Sequence, residues 1–565
     1  MLYSLWFLAW LFFPLFSPSS ALLEVFQVYH PLPIHNRNQS LSSCDREILL
    51  LNHVFGFSYG HPFVGYYEPP KCDFDTVRMS LTVSSKGRQF DRLAHMYLGD
   101  IEVFRTSTAE PTRDGIVWTY VKDMSQYNSL WRRRQKIIFE LGNLINDLYT
   151  GSFNVTVTAH FSHEKNVRTA DVILPISAQN SARNSSSAFI VPSQEAKVSY
   201  NFESPASRAV VAISACGQAT EEFWWSNVFS SDTDVFKDVP GELYGYSPFR
   251  EIQLHIDGAL AGVVWPFPVI FTGGVSPGFW RPIVGTDAFD LRAPEIDISP
   301  FLPLLTDGAY HSFEIKVVGL HISSDGLATL SDTVGSNWVV SGNIFLYLPH
   351  VADPYISRMS VGGRGPEITA PTPTFSTRRG LLKSPSGVNE SLAYSVLAER
   401  SFTVKSGAHI WKQELSFFNV GLFSQQGLSQ RTVQQTTGTA LFGRLVNETA
   451  TDEVSFKYPL FVNTTYGNIT GGLSIDAWMG RGLEINSTGM PGVSTYTLTS
   501  GPSHLRTEQR GRSSYRSTPG NTNSTSFGDT IDNFESYAGG EAYYRSVRAV
   551  NGSVIADTDR KGLDT

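Results

Sequence analysis

Apolar and polar residues alternate with a period of two along much of the chain. Val77-Arg78-Met79-Ser80-Leu81-Thr82-Val83 is one such run, Phe153-Asn154-Val155-Thr156-Val157 a second and Phe313-Glu314-Ile315-Lys316-Val317 a third. Successive side chains of a strand point to opposite faces, so each run predicts a β-strand with one face buried. Gly- and Pro-bearing turns separate the runs and few stretches carry helical spacing, which predicts an all-β chain of stacked β-sandwiches. The first sandwich is expected at about 22–190, with the Ser/Asn-rich stretch from Ser177 to Phe189 as linker, and the second at about 191–350. After Pro349 the pattern weakens into shorter strands with Gly-, Ser- and Thr-rich loops, giving an additional β-rich C-terminal region over 351–565. Within it the polar segment from Ser503 to Ser526 reads as a mobile loop.

One run follows neither period. From Ala259 to Trp280 the chain reads ALAGVVWPFPVIFTGGVSPGFW, without a charge. Pro266, Pro268 and Pro277, with Gly273 and Gly274, break any continuous helix, so it is not an ordinary membrane span. Its Trp, Phe, Gly and Pro content fits either a shaped pocket wall with sugar-stacking surfaces or buried β-core with tight turns.

At 565 residues the chain exceeds one hydrophobic core, so two or three domains and a cleft between them are expected. Charged residues make up only 17% and hydrophobic ones 41%, which excludes a disordered chain. A net charge of −8 argues against nucleic acid as a partner, and the cluster Arg132-Arg133-Arg134 reads as a solvated face. Residues 1–21 have the layout of a secretory signal peptide, an apolar stretch followed by small residues ending at Ala21. Asn-x-Ser/Thr sequons at Asn38, Asn154, Asn184, Asn389, Asn447, Asn463, Asn468, Asn486, Asn523 and Asn551 fit passage through a glycosylating pathway. The expectation is a soluble protein without a membrane anchor after cleavage, exported or held in a vacuolar lumen. Three cysteines allow at most one intramolecular bridge, expected between Cys44 and Cys72 in an oxidising compartment, with Cys216 left as a thiol.

Several familiar motifs fail on their chemistry. Gly274-Val275-Ser276-Pro277-Gly278 has the nucleophile-elbow spacing, but Pro277 lacks the backbone N–H that the oxyanion hole needs. His160 and His163, three apart in a strand, point to opposite faces and make a poor metal pair. No phosphate loop, dinucleotide fingerprint or paired C-x-x-C site is present. Carboxylate chemistry or pure binding remains. In the stretch from Lys86 to Asp100, alternation places Asp91, Leu93, His95 and Tyr97 on one face, although Asp91 could simply pair with Arg88 or Arg92. In the second candidate segment Glu221 and Glu222 adjoin Trp224 and Trp225, where loss of water and mutual repulsion would raise a carboxyl pKa. Glu242 and Glu251 follow shortly after.

The segments KGRQFDR, YLGDIEVFRTSTAEP, EEFWWSNV, FREIQLHIDG, AGVVWPFPVIFTGGVSPGFWRPIVG and FDLRAPEIDISPFLP together closely resemble the acidic peptide-N-glycanase A family over most of the chain after residue 22. The resemblance implies hydrolysis of the amide joining an N-glycan to asparagine, without a metal or organic cofactor, at acidic pH. Its substrates would be N-linked glycopeptides or denatured glycoproteins, its products a glycosylamine and a peptide aspartate. QFDRLAHMYLG is also loosely similar to the segment holding the essential aspartate of the bacterial peptide-N-glycosidase F, whose fold is two side-by-side jelly rolls. That similarity implies tandem jelly-roll-like sandwiches and makes Asp91 the leading catalytic candidate. The matching second acid would fall near Tyr246, which leaves its partner open among Glu221, Glu222, Glu242 and Glu251. Arg92 or Arg250 would hold sugar hydroxyls or the oxyanion, and Trp224, Trp225, Trp265 or Trp280 would stack on GlcNAc. A sugar-binding protein without catalysis and a two-carboxylate glycosidase are the rival readings.

Overall fold

The structure, a computed structural model, describes residues 22–32, 44–164, 168–202, 205–349, 364–446, 449–469, 471–488, 503–521, 523–538 and 541–562. Residues 1–21, Asn38 and Asn447 lie outside the described residues, as does the side chain of Asn468.

The architecture is all-β. In the first sandwich the strands Leu23–Glu24, Ile116–Asp123, Thr76–Lys86, Ser152–Ser162 and Asp45–Phe55 form one sheet in that spatial order. The second sheet orders Phe63–Tyr67, Gln135–Leu141, Leu93–Leu98 and Ile101–Ser107. The alternation in Thr76–Lys86 sends Met79, Leu81 and Val83 into a core shared with Met96, Leu98 and Phe139 of the facing sheet. Cys44 and Cys72 are joined by a disulfide, and Cys216 is a buried thiol.

The second sandwich pairs a sheet of Val172–Ile176, Trp338–Tyr347, Arg208–Gly217 and Glu295–Asp297, with Phe189–Val191 also on Trp338–Tyr347, against a second sheet. That sheet orders Ala196–Tyr200, His311–Ile322, Glu251–Ile256 and Ala259–Val264, with Ala328–Ser331 also on His311–Ile322. Val211, Ile213, Val340 and Ile344 meet Leu254, Ile256, Phe313 and Ile315 in its core. Because Val172–Ile176 pairs with Trp338–Tyr347, the second sandwich begins before the Ser/Asn-rich stretch rather than after it. That stretch forms a turn at Ser181–Arg183 within the second sandwich.

The two sandwiches meet along a polar seam. Arg105 and Glu102, both buried, form an ion pair at 2.7 Å. Arg105 also donates to the Val339 carbonyl, and Asn343 and Ser341 donate to Glu102. A buried ion pair is tolerable only when its remaining donors and acceptors are satisfied in this way.

From Glu367 to Gly562 the chain forms an eleven-stranded antiparallel meander whose longest strand, Thr449–Ile469, has 21 residues. The expectation of short strands and loops there fails. The segment from Ser503 to Ser526 contains the strand His504–Ser517, which turns Leu505, Thr507, Gln509 and Ser513 inward and Arg506, Glu508, Arg510 and Arg512 outward. Its inward positions are mostly small or polar because they cover backbone: Gln509 donates to the Val284 carbonyl, while Thr530 of the neighbouring strand donates to that of Phe279. A buried polar side chain is stable where it satisfies such a carbonyl. The last strand, Ser553–Gly562, is exposed throughout.

The meander covers the uncharged run. Phe249 meets Trp265, Phe375 and Phe417 edge-on at centroid distances of 5.3, 5.6 and 5.2 Å. Asn419 donates to the Trp225 carbonyl and Gln413 to that of Val263. The run is therefore chiefly buried core. Its middle also walls an apolar cavity of about 230 Å³ bounded by Trp265, Phe267, Trp411, Phe442 and Tyr458.

Candidate active site

Three carboxylates converge where the sandwiches meet. Asp91 lies in the connection between Thr76–Lys86 and Leu93–Leu98. Glu110 follows the strand Ile101–Ser107, and Glu222 follows Arg208–Gly217. The two latter strands are held in place by the cores and the seam, so their ends are fixed points from which an acid can be aimed.

Each side chain keeps some contact with solvent while protein encloses it on most sides. Loss of water raises the Asp91 carboxyl well above its ordinary range, and the nearby charges of Glu222 and Glu110 raise it further. Burial pushes Glu222 up to about 7. Glu110 also rises to about 7 through burial, although Arg281 and Arg88 oppose the shift. Glu110 and Glu222, both raised to about 7, can between them hold one proton and one negative charge in a single cleft.

The uncharged run reaches this cleft at one turn. Gly273 has φ +94°, and a Cβ there would lie 2.3 Å from a carboxylate oxygen of Glu110. A Cβ on Gly274 would come within 3.2 Å of the Phe223 ring, next to Glu222. Thus Gly273 makes room for the Glu110 carboxylate, and Gly274 lets the turn pack on the ring that precedes Glu222.

Aromatic and cationic groups border Asp91. Arg92 donates to the Tyr59 hydroxyl at 2.9 Å and to Gln89 at 2.6 Å, while its Nε has no hydrogen-bond partner among the described residues. Tyr59 and Phe90 are 53% and 46% exposed, and Phe90 packs against Tyr149 at 5.3 Å. Buried Gln89 anchors this loop by donating to the Leu144 and Gly151 carbonyls.

Of the residues singled out in the sequence, Asp91, Glu222 and Arg92 come together here. Glu221 does not. It is fully buried and accepts from Arg250 at 2.5 and 2.7 Å, from the Gly335 backbone at 2.9 Å and from Trp338 at 2.8 Å. Arg250 spends its remaining donors on the carbonyls of Tyr246, Ser247 and Phe249, so neither residue is available to a sugar. Glu251 is equally occupied, accepting from Arg400, Trp265 and Gln253. Glu242 is exposed in the loop before Phe249. Trp224, Trp225, Trp265 and Trp280 are 4%, 3%, 2% and 1% exposed, and so present no ring face for stacking. Ser276 of the elbow-like motif is buried against Ser513 at 2.7 Å. His160 and His163 engage different carboxylates, Asp45 and Asp75.

Sequence reasoning missed Glu110, Tyr59, Phe90 and Tyr149. Glu110, three residues beyond the buried strand Ile101–Ser107 and just before Pro111, carries no local sequence signal of its role.

A family model described as peptide N-acetyl-beta-D-glucosaminyl asparaginase amidase A matches residues 31–361, and one described as PNGase_A C-terminal domain matches residues 393–460. The peptide-N4-(N-acetyl-beta-glucosaminyl)asparagine amidase A of Prunus dulcis is 35% identical over 324 residues, which are 53% of this chain and 54% of that protein. The match thus spans about half the length of that curated relative. Among solved structures, PNGF-II aligns over 55% of this chain and 66% of its own at 13% identity with a TM-score of 0.37. PNGase F of Flavobacterium meningosepticum aligns over 54% of this chain and 96% of its own at 12% identity with a TM-score of 0.36. With a match running from residue 31 to residue 361, more than half its length, this chain belongs to the peptide N-acetyl-beta-D-glucosaminyl asparaginase amidase A family.

Proposed function

We propose that the chain hydrolyses the amide bond between an N-glycan and asparagine, with Asp91, Glu110 and Glu222 as the reacting groups. The observation that carries this reading is the convergence of three carboxyls, each raised by burial, at one cleft. The family and the named activity of the Prunus dulcis relative support it.

In mild acid Glu110 and Glu222 hold protons, and the repulsion that raises Asp91 disappears. Burial still holds the Asp91 carboxyl above its ordinary range, opposed by Arg92 and a backbone hydrogen bond, so the ionised fraction of Asp91 is the reacting base. Asp91 accepts a proton from water as the water oxygen bonds to the side-chain carbonyl carbon. Glu222 protonates the nitrogen as the C–N bond breaks. The peptide keeps an aspartate and the glycan leaves as a glycosylamine. Arg92, whose terminal nitrogens each keep a second N–H beyond those given to Tyr59 and Gln89, donates to the developing oxyanion or to a sugar hydroxyl. Tyr59 and Phe90, the latter backed by half-buried Tyr149, offer the exposed ring faces that the buried tryptophans do not. The signal-like residues 1–21 and the sequons support a secreted or vacuolar enzyme acting on glycopeptides or denatured glycoproteins.

The test is mass spectrometry of a glycopeptide treated with the protein in ¹⁸O-water at acidic pH. Labelled aspartate with intact glycan released is expected. A peptide retaining one GlcNAc, or an unchanged one, would overturn the reading.

A further inference from the structure

The outward face of the meander carries an exposed tryptophan that the cleft does not use. Strand Gly472–Thr488 turns Ala477, Met479 and Leu483 inward and Trp478 outward, where it is 62% exposed. Trp478 stands directly across from Asn463 on strand Thr449–Ile469 and from Arg512 on strand His504–Ser517. Residues paired across antiparallel strands share a face, with Cβ atoms about 4.5–5.5 Å apart. Asn463-Thr464-Thr465 is a sequon.

Beyond Trp478 the same face holds Gly480 and Gly482, neither of which raises a side chain. The surface there sinks into an open groove of about 940 Å³ that runs from Trp478 to Glu484 between Lys457 and Arg510. An indole face beside a sequon asparagine, opening onto a trough that mixes apolar groups such as Pro459 and Phe461 with charged ones such as Lys457, Arg506 and Arg510, matches the apolar C–H face and hydroxyl rim of a GlcNAc unit.

We propose that Asn463 carries an N-linked glycan whose first GlcNAc lies on the Trp478 ring and whose next sugars follow the glycine-floored groove. Attachment forms a bond from Asn463 Nδ2 to C1 of the sugar. The donor is an oligosaccharide activated as a lipid diphosphate, which departs as the leaving group while Nδ2 gives up one proton. The inference rests on passage through a glycosylating secretory pathway but not on the amidase chemistry. Asn154, an exposed sequon flanked by Ser84 and Val54 across its strand, has no ring beside it and serves as an internal reference.

The full chain, expressed in a eukaryotic secretory host, is digested without denaturation by an endoglycosidase that cuts between the two core GlcNAc units. Release at Asn463 and Asn154 is then followed by glycopeptide mass spectrometry. Release at Asn463 is expected to be about fivefold to tenfold slower than at Asn154, the factor a single ring-to-sugar stack supplies. Trp478→Ala should remove the difference, while Trp478→Phe restores part of it and the Asn154 rate stays unchanged. That unchanged rate and an unaltered melting temperature guard against misfolding, since Trp478 lies outside the core. An unoccupied Asn463, its conversion to aspartate, or equal release at the two sites in both the parent and Trp478→Ala would overturn the proposal.

Discussion

The cleft acids work against folding as pH rises. A carboxyl whose folded-state pKa is raised holds its proton more tightly in the native state than in the unfolded chain. Stability from Glu222 therefore declines as pH rises from the ordinary carboxyl range, about 4.3, through its folded value of about 7. Glu222→Gln should accordingly melt higher than the parent at pH 8, by a free energy on the order of 1 kcal/mol, and lose this advantage near pH 4. Calorimetry across that window checks the sign. The same variant lacks the proton donor, so its activity at pH 5 should fall by about 10²-fold or more. Asp91→Asn should also be inactive yet folded, and near-normal turnover would remove Asp91 from the mechanism. In the parent, turnover should decline as pH rises through about 7, because Glu222 then loses the proton it must give. Asp91 was singled out through the resemblance of QFDRLAHMYLG, and Glu222 as one of four candidate acids, flagged with Glu221 for standing beside Trp224 and Trp225. Glu110 was not, since its tuning comes from Asp91, Glu222 and the Gly273 turn, all distant along the chain.

Strand alternation was legible wherever one face meets a core and the other meets water, as in Thr76–Lys86 and His311–Ile322. It failed where both faces meet protein or the buried face is polar. The strand Trp338–Tyr347 is buried at all ten positions, and His504–Ser517 hides threonine, glutamine and serine. The run from Ala259 to Trp280 shows the same limit, because composition reports apolar surface but not what covers it. Its tryptophans are core residues, so Trp280→Ala should destabilise the protein by about 3–5 kcal/mol, which thermal unfolding would read. The turn within the run has a different role. Gly273→Ala forces a Cβ toward the Glu110 carboxylate in a backbone conformation that disfavours side chains. It should cost more in kcat than in KM, with substrate binding largely kept.

At the scale of the whole molecule the meander is a structural partner of the second sandwich rather than an appended unit. Arg400 reaches from it to buried Glu251 at 2.8 Å. Removing one member of such a pair leaves an uncompensated charge in the interior, at a cost of about 3–5 kcal/mol. Arg400→Met should therefore lower the melting temperature sharply, and a chain ending at residue 349 should be insoluble. Equal melting of parent and Arg400→Met would show that the pair contributes nothing. The length of the meander leaves another mark. Among the described residues its last strand, Ser553–Gly562, ends the ladder, leaving one row of backbone N–H and C=O groups without a neighbouring strand. A sheet end of this kind is a template for another chain, and here Asp557, Asp559, Arg560 and Lys561 sit along it beside exposed Val554 and Ile555. Charges on such an edge oppose its pairing with a second copy. Replacing the two aspartates by valine should therefore promote growth of larger assemblies, read by light scattering, while leaving the distant cleft intact.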